Sequence, residues 1–303
     1  MEREHRRASV ATDDSPSGRE EVPEGHHPAE VDEEPKPLGQ EAPEIIDDAA
    51  KIGSKRLHRS NAGSAITSFI GGMSVCFGAV SMAWASASVD GSIASASVAH
   101  LLGSLFFPVG FIILLVGKSE LFTENFFLPV TAVLERRGSM RELLSLWGVS
   151  LTFNLLGALV FAGLISRGAV LDSAPAAQLV DLAEHKVGYS LTTSIVKAVF
   201  AGWLMTMLTW LLVAAEGFGS RLVLIWIMGT LIVLGQFNHV VISAAEVFIG
   251  MLLGAEVTVG QWLTGNFLPA LAGNIIGGVV FVTLLFYVQA QQGRKDMESE
   301  GAG

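Results

Sequence analysis

The chain has 303 residues, of which 50% are hydrophobic and 16% charged, with a formal net charge of -10 and a mean hydropathy of +0.51. That balance excludes an ordinary soluble globular domain, in which about a quarter of the residues are charged, and calls for a lipid solvent. Cys76 is the single cysteine, which excludes an intrachain disulfide and a cysteine zinc cluster and leaves it as a small apolar filler in a helix.

Charge is concentrated at the N-terminus, where residues 1–60 hold fifteen acidic and nine basic side chains. Residues 1–42 are rich in Glu, Asp, Pro, Gly and Ser. They cannot bury enough surface to offset the entropy of ordering, so a disordered acidic tail is expected. It has no continuous apolar stretch, and no cleaved export sequence is expected. In 43–60, Ile45, Ile46, Ala49, Ile52 and Leu57 recur at helical spacing among Asp and Lys. This predicts an amphipathic helix at the cytoplasmic membrane surface.

Six apolar segments follow within a predicted transmembrane domain of 61–292: about 62–84, 97–117 with a continuation to 134, 143–166, 191–214, 222–253 and 267–290. Each is close to or above the roughly twenty residues that a helix needs to cross the hydrocarbon. An even number of crossings puts both termini on one side. Lys51, Lys55, Arg56 and Arg59 precede the first crossing, Arg136, Arg137 and Arg141 separate the second from the third, and Arg294 and Lys295 open the short tail 293–303. Basic residues mark cytoplasmic connections, so both termini are expected in the cytoplasm and the protein in the cell (inner or plasma) membrane.

Segments two and five are too long for simple crossings, and polar residues interrupt them. In segment two, Phe111 to Val116 runs into Gly117-Lys118-Ser119-Glu120-Leu121-Phe122-Thr123-Glu124-Asn125; in segment five, Leu231 to Leu234 runs into Gly235-Gln236-Phe237-Asn238-His239. Backbone that leaves the helix at membrane depth must line a protein-walled cavity. Breaks in the second and fifth of six segments predict two three-helix halves of inverted topology with a site at their interface.

Ser119-Glu120-Leu121-Phe122-Thr123 and Phe237-Asn238-His239, together with Asn266-Phe267-Leu268 and Gly273-Asn274-Ile275-Ile276-Gly277-Gly278 in the last segment, resemble the formate/nitrite transporter family from about Pro43 to Gln289. The resemblance implies an all-α membrane protein with helices 2 and 5 broken. It further implies an aquaporin-like protomer carrying its own pore, and a homopentamer. It places His239 at the pore centre, Thr123 on the facing loop, and Lys186 in an outer vestibule where a cation concentrates anions. Phe107, Leu121 and Phe122 match apolar constrictions that oppose a hydrated anion more than a neutral acid. At two positions the chain departs from the family pattern. Gly202 stands where an Asn is usual, which removes a pore-lining amide and widens the site, and Asn238 stands where a Glu usually precedes the histidine.

The resulting expectation is transport of a small monovalent anion, such as formate or nitrite, with proton sharing at His239. The alternatives are a neutral-solute channel of the glycerol or water type, against which the absence of an Asn-Pro-Ala pair counts, and a membrane scaffold acting through its tail. Lys118, Glu120, Glu124 and Glu246 beside the breaks are expected to pair or to face the mouth of the path. The membrane body gathers no nucleophile, base and metal ligands, so neither an enzyme nor a cofactor or metal is expected. The expected partners are the anion, protons and the lipid bilayer, and no nucleic acid.

Overall fold

The computed structural model describes residues 39–89 and 96–300. Most of the expected acidic tail therefore lies outside the described residues. Every regular element among the described residues is helical. Helix α1 (Ala42–Leu57) starts with Pro43 in its first turn, where a missing amide hydrogen costs nothing, and ends with Lys55 and Arg56 beside its last carbonyls.

Helix α2 (Asn61–Ala87) is the first crossing. The second consists of α3 (Ala96–Phe106), α4 (Pro108–Val116), a 3-10 turn (Phe122–Phe126) and α5 (Leu128–Leu134). Helix α6 (Met140–Ile165) is the third. After α7 (Ser173–Val187) come α8 (Leu191–Ala214), the pair α9 (Phe218–Leu234) and α10 (Val240–Leu253), and α11 (Val259–Ser299), which carries two π-helical stretches. Among the described residues, five helical stretches are long and apolar enough to span a membrane. The remaining crossing, the fifth, is the broken pair α9 and α10.

The two halves repeat the same packing. Surface helix α1 lies on α5, and α7 lies on α10; α2 runs along α6, and α8 along α11. Each half holds three crossings, an odd number, so the second half begins on the opposite side from the first and its repeat is inverted. The helix starts repeat as well. Ser60 and Ser190 cap α2 and α8 by accepting from the amides of Gly63 and Thr193. Ser139 and Thr258 form capping boxes with Glu142 and Gln261 at α6 and α11.

Small residues set the helix-to-helix distances. A Cβ on Gly72 would collide with the backbone of Asn154, and one on Gly157 with the Phe69 carbonyl; Gly202 and Gly277 stand in the same relation to Asn274 and Val199. Without a hydrophobic drive between helices in lipid, such close backbone approach is what holds them together. Large apolar side chains such as Ile66, Trp84, Phe106, Leu164 and Val288 point outward and are more than 45% exposed. That is the outer surface of an integral membrane protein.

Gly277→Ala is therefore expected to lower stability by about 1–3 kcal/mol through overpacking. Gly148→Ala, where a Cβ meets only open space, is expected to be neutral or slightly stabilising. Thermal unfolding of the two variants in detergent separates these outcomes.

Candidate functional site

Both breaks are built alike. Helix α4 ends at Gly117, and Lys118 turns left-handed at φ 60; α9 ends at Gly235, and Gln236 does the same at φ 51. The amides of Lys118 and Ser119 return to the carbonyls of Leu115 and Leu114, and those of Gln236 and Phe237 to Val233 and Ile232. This paired return closes a helix on itself, although glycine usually occupies the left-handed position.

Beyond each cap the chain is extended and is clamped by an asparagine from the third helix of its own half. Asn154 Oδ1 accepts from the Phe122 amide at 2.7 Å, while its Nδ2 donates to Ser68 O at 2.6 Å and Glu120 O at 2.9 Å. Asn274 Oδ1 accepts from the Val240 amide at 2.8 Å, and its Nδ2 donates to Ala198 O at 2.8 Å and Asn238 O at 2.9 Å. The amides of Glu120 and Asn238 donate in turn to Thr67 O and Lys197 O. Each clamp satisfies backbone groups that no water can reach, and each holds one residue between its two contacts: Leu121 in the first half and His239 in the second.

The side chain of His239 caps α10, with Nδ1 accepting from the amides of Val241 at 3.3 Å and Ile242 at 3.2 Å. This use of Nδ1 as an acceptor assigns the ring proton to Nε2, which donates to Thr123 Oγ1 at 2.8 Å. The bond joins the two broken loops across the centre of the molecule. One turn further on, Ser243 Oγ is buried without a hydrogen-bond partner.

Two cavities approach this centre. The one on the side of the termini, about 960 Å³, is lined by Lys51, Arg56, Lys118, Glu120, Glu124 and Arg221 among others. The one on the far side, about 70 Å³, is lined by His185, Lys186, Tyr189, Gln236, Phe237 and Glu246, with His100 at its edge. Thr123, His239, Phe107 and Leu121 line neither cavity and are fully buried, although their sequence neighbours Glu120, Phe237 and Ile242 do line one or the other. Phe107 stands edge-on to Phe111, their ring centroids 5.6 Å apart, in the core shared with Leu121. Phe122 instead turns toward α6, edge-on to Phe126 at 4.9 Å and Trp147 at 5.9 Å.

Charged latches hold both loops. Arg56 of α1 pairs with Glu120 at 3.0 Å and Glu124 at 2.9 Å, and Arg59 pairs with Glu120. On the far side, Lys186 pairs with Glu246 at 3.3 Å and reaches the Phe237 carbonyl, and Lys197 donates to the carbonyls of Gly235 and Gln236. The Tyr189 hydroxyl donates to Gln236 Oε1; burial, followed by the nearby Glu246 carboxylate, pushes its pKa up to about 12.

Three further residues that the sequence reading put on the path make structural contacts. Lys186 lines the far-side cavity as a buried, ion-paired residue of helix α7, because α7 packs on α10 and carries it to Glu246. Gly202 lines neither of the two cavities described above; it is the contact at which α8 meets the Asn274 backbone, so no amide side chain fits there. Asn238 is buried, with Nδ2 donating to Ser194 and Oδ1 accepting from Asn266, and it braces the loop from behind. The sequence reading did not identify Asn154 as a clamp or Lys197 as a loop anchor. The recurrence of Asn154-Leu155-Leu156-Gly157 as Asn274-Ile275-Ile276-Gly277 is the signal that points to the clamps.

The family model described as formate/nitrite transporter matches residues 43–288. The chain belongs to this family. It is 29% identical over 269 residues to the uncharacterized transporter YrhG of Bacillus subtilis (strain 168), covering 84% of this chain and 96% of that protein. Among solved structures, an FNT family ion channel superposes with a TM-score of 0.73 at 19% identity, over 81% of this chain and 98% of its own. A pentameric formate channel with formate bound superposes with a TM-score of 0.64, also at 19% identity, over 75% and 96%. The fold is that of these channels, the aquaporin-like arrangement of two inverted halves.

The clamps generate a direct expectation. Asn274→Leu leaves the Val240 amide and two carbonyls unpaired, at about 1–3 kcal/mol for each buried group. Deuterium exchange at 235–242 should accelerate strongly, whereas exchange at the first loop, held by Asn154, should change little.

Proposed function

We propose that the protein conducts a small monovalent anion of the formate or nitrite type across the membrane, through a path in each protomer of a homopentamer. The observation that carries this reading is the Thr123–His239 hydrogen bond, which lies between two cavities with apolar residues on either side. Family membership and the likeness to a formate-bound pentameric channel support it. The excess of basic residues at 51–59, 136–141 and 294–295 supports cytoplasmic termini.

At the centre the geometry offers donors to an anion without offering a cation. With Nδ1 held by two helix amides, His239 presents Nε2–H, and the Thr123 hydroxyl presents its own hydrogen; together with Ser243 Oγ they can replace part of the water that an oxyanion leaves behind. Phe107 and Leu121 keep water out and set the size limit. Protonating His239 at Nδ1 would break the cap of α10. The ring therefore acts as a hydrogen-bond donor, and any proton that travels with the anion is carried by another group.

In proteoliposomes, His239→Asn and Thr123→Val should each cut labelled formate or nitrite uptake roughly tenfold, a barrier change of about 1.4 kcal/mol, and Thr123→Ser should preserve it. Removal of 1–38 should leave flux unchanged. Wild-type rates from both central variants, or glycerol passing as fast as formate, would overturn the reading.

A further inference from the structure

Glu246 is the acidic side chain of the far-side cavity, and its surroundings do not suit a purely structural carboxylate. The residue is 2% exposed. Its Oε2 lies 3.3 Å from Lys186 Nζ, an ion pair that falls short of a directed hydrogen bond, and among the described residues no other group donates to it. The ammonium is shared, since Lys186 also donates to the Phe237 carbonyl at 3.4 Å, two residues before His239. A buried ion pair with an unsatisfied oxygen is generally less stable than apolar side chains of the same size, so packing alone gives no reason for this pair. The first half contrasts with it: there Arg56 is met by two carboxylates, Glu120 and Glu124, with hydrogen bonds at normal distances.

We propose that Glu246 is an internal counter-ion that occupies Lys186 in place of the permeant anion, and that it must take up a proton before Lys186 can hold that anion. This rests on the anion-transport reading above. The 70 Å³ of the cavity is several times the roughly 10–15 Å³ that one water needs, which is room on the scale of an oxyanion of three heavy atoms. In the exchange, the anion takes the place of Glu246 at the ammonium, and a proton from the far-side solvent binds the released carboxylate. The net charge of the site is unchanged: a cation and an anion remain, with a neutral acid beside them. The anion and the proton thus arrive together, which supplies the proton that His239 cannot give.

The groups that bear on Glu246 are few. They are Lys186 and His185 on α7, Tyr189 in the following loop, Lys197 on α8 through Lys186 and Tyr189, His100 on α3, Cys76 on α2 and His239 on its own element. Helix α6 carries titratable residues only at Arg141 and Glu142, in its first turn, and α11 carries none between 259 and 284.

The test is calorimetry of formate and of nitrite binding to the purified full-length chain in detergent, in buffers of different ionisation heat, with liposome flux measured in parallel. The wild type should take up about one proton per anion bound, and its affinity should rise as pH falls. In Glu246→Gln the uptake should fall to near zero, and affinity at neutral pH should tighten roughly tenfold and become independent of pH. The double variant Lys186→Gln/Glu246→Gln, which leaves no buried charge unpaired, should lose proton-linked binding altogether. Binding without proton uptake in the wild type, or uptake that persists in either variant, overturns the role of Glu246 while flux still supports transport. Absence of flux for any small anion overturns the transport reading and this proposal with it.

Discussion

A main chain that leaves the helix inside a bilayer has no solvent to hydrogen-bond with, and the architecture of this protein follows from that constraint. Each break frees amides and carbonyls that would cost several kcal/mol apiece in hydrocarbon. The helical caps at Gly117-Lys118 and Gly235-Gln236 recover the first of them, and the asparagines recover the next. An asparagine suits the task because its amide carries both a donor and an acceptor, so one side chain reaches both faces of an extended strand. The side chain must lie against the neighbouring helix backbone to do this. That is why Gly72 faces Asn154 and Gly202 faces Asn274: the close helix contacts and the satisfied loops are one feature.

The halves share this frame but differ in its chemistry. The loop of the first half is tied by Arg56 of its surface helix, and by Arg59 just beyond it, to Glu120 and Glu124; the loop of the second is tied by Lys186 of its surface helix, which pairs with Glu246 of α10, and by Lys197 of α8. Arginine presents a planar fork that meets carboxylates on two edges, while lysine presents a compact, rotatable charge. The first latch is therefore the more rigid, and the second, facing the small far-side cavity, is the one able to exchange its partner.

Much of this was legible in the sequence because apolar length and polar interruption are local signals. The crossings and the breaks after Gly117 and Gly235 follow from residues that stand out against an apolar background, whereas the facing of Thr123 and His239 was implied by the family resemblance. Partnership between distant segments was less legible. An isolated Asn in an apolar helix does not reveal which backbone it holds, and the Asn154 and Asn274 repeats had to be set side by side before their common role was visible. The family resemblance placed Lys186 in an outer vestibule but gave no partner for it; the packing of α7 on α10 shows that the helix carries it to Glu246. Gly202 was read by what it lacked, a side chain, whereas its role is to let two backbones meet.

The clamps leave a single residue between their two contacts, leucine in one half and histidine in the other, on equivalent backbones. What differs between the centres of the two halves is thus a choice of side chain and not of scaffold. On equivalent backbones, such a socket lets its occupant be exchanged while the surrounding frame keeps its hydrogen bonds. New permeation chemistry can then arise by exchanging a plug, with no need to invent a new channel.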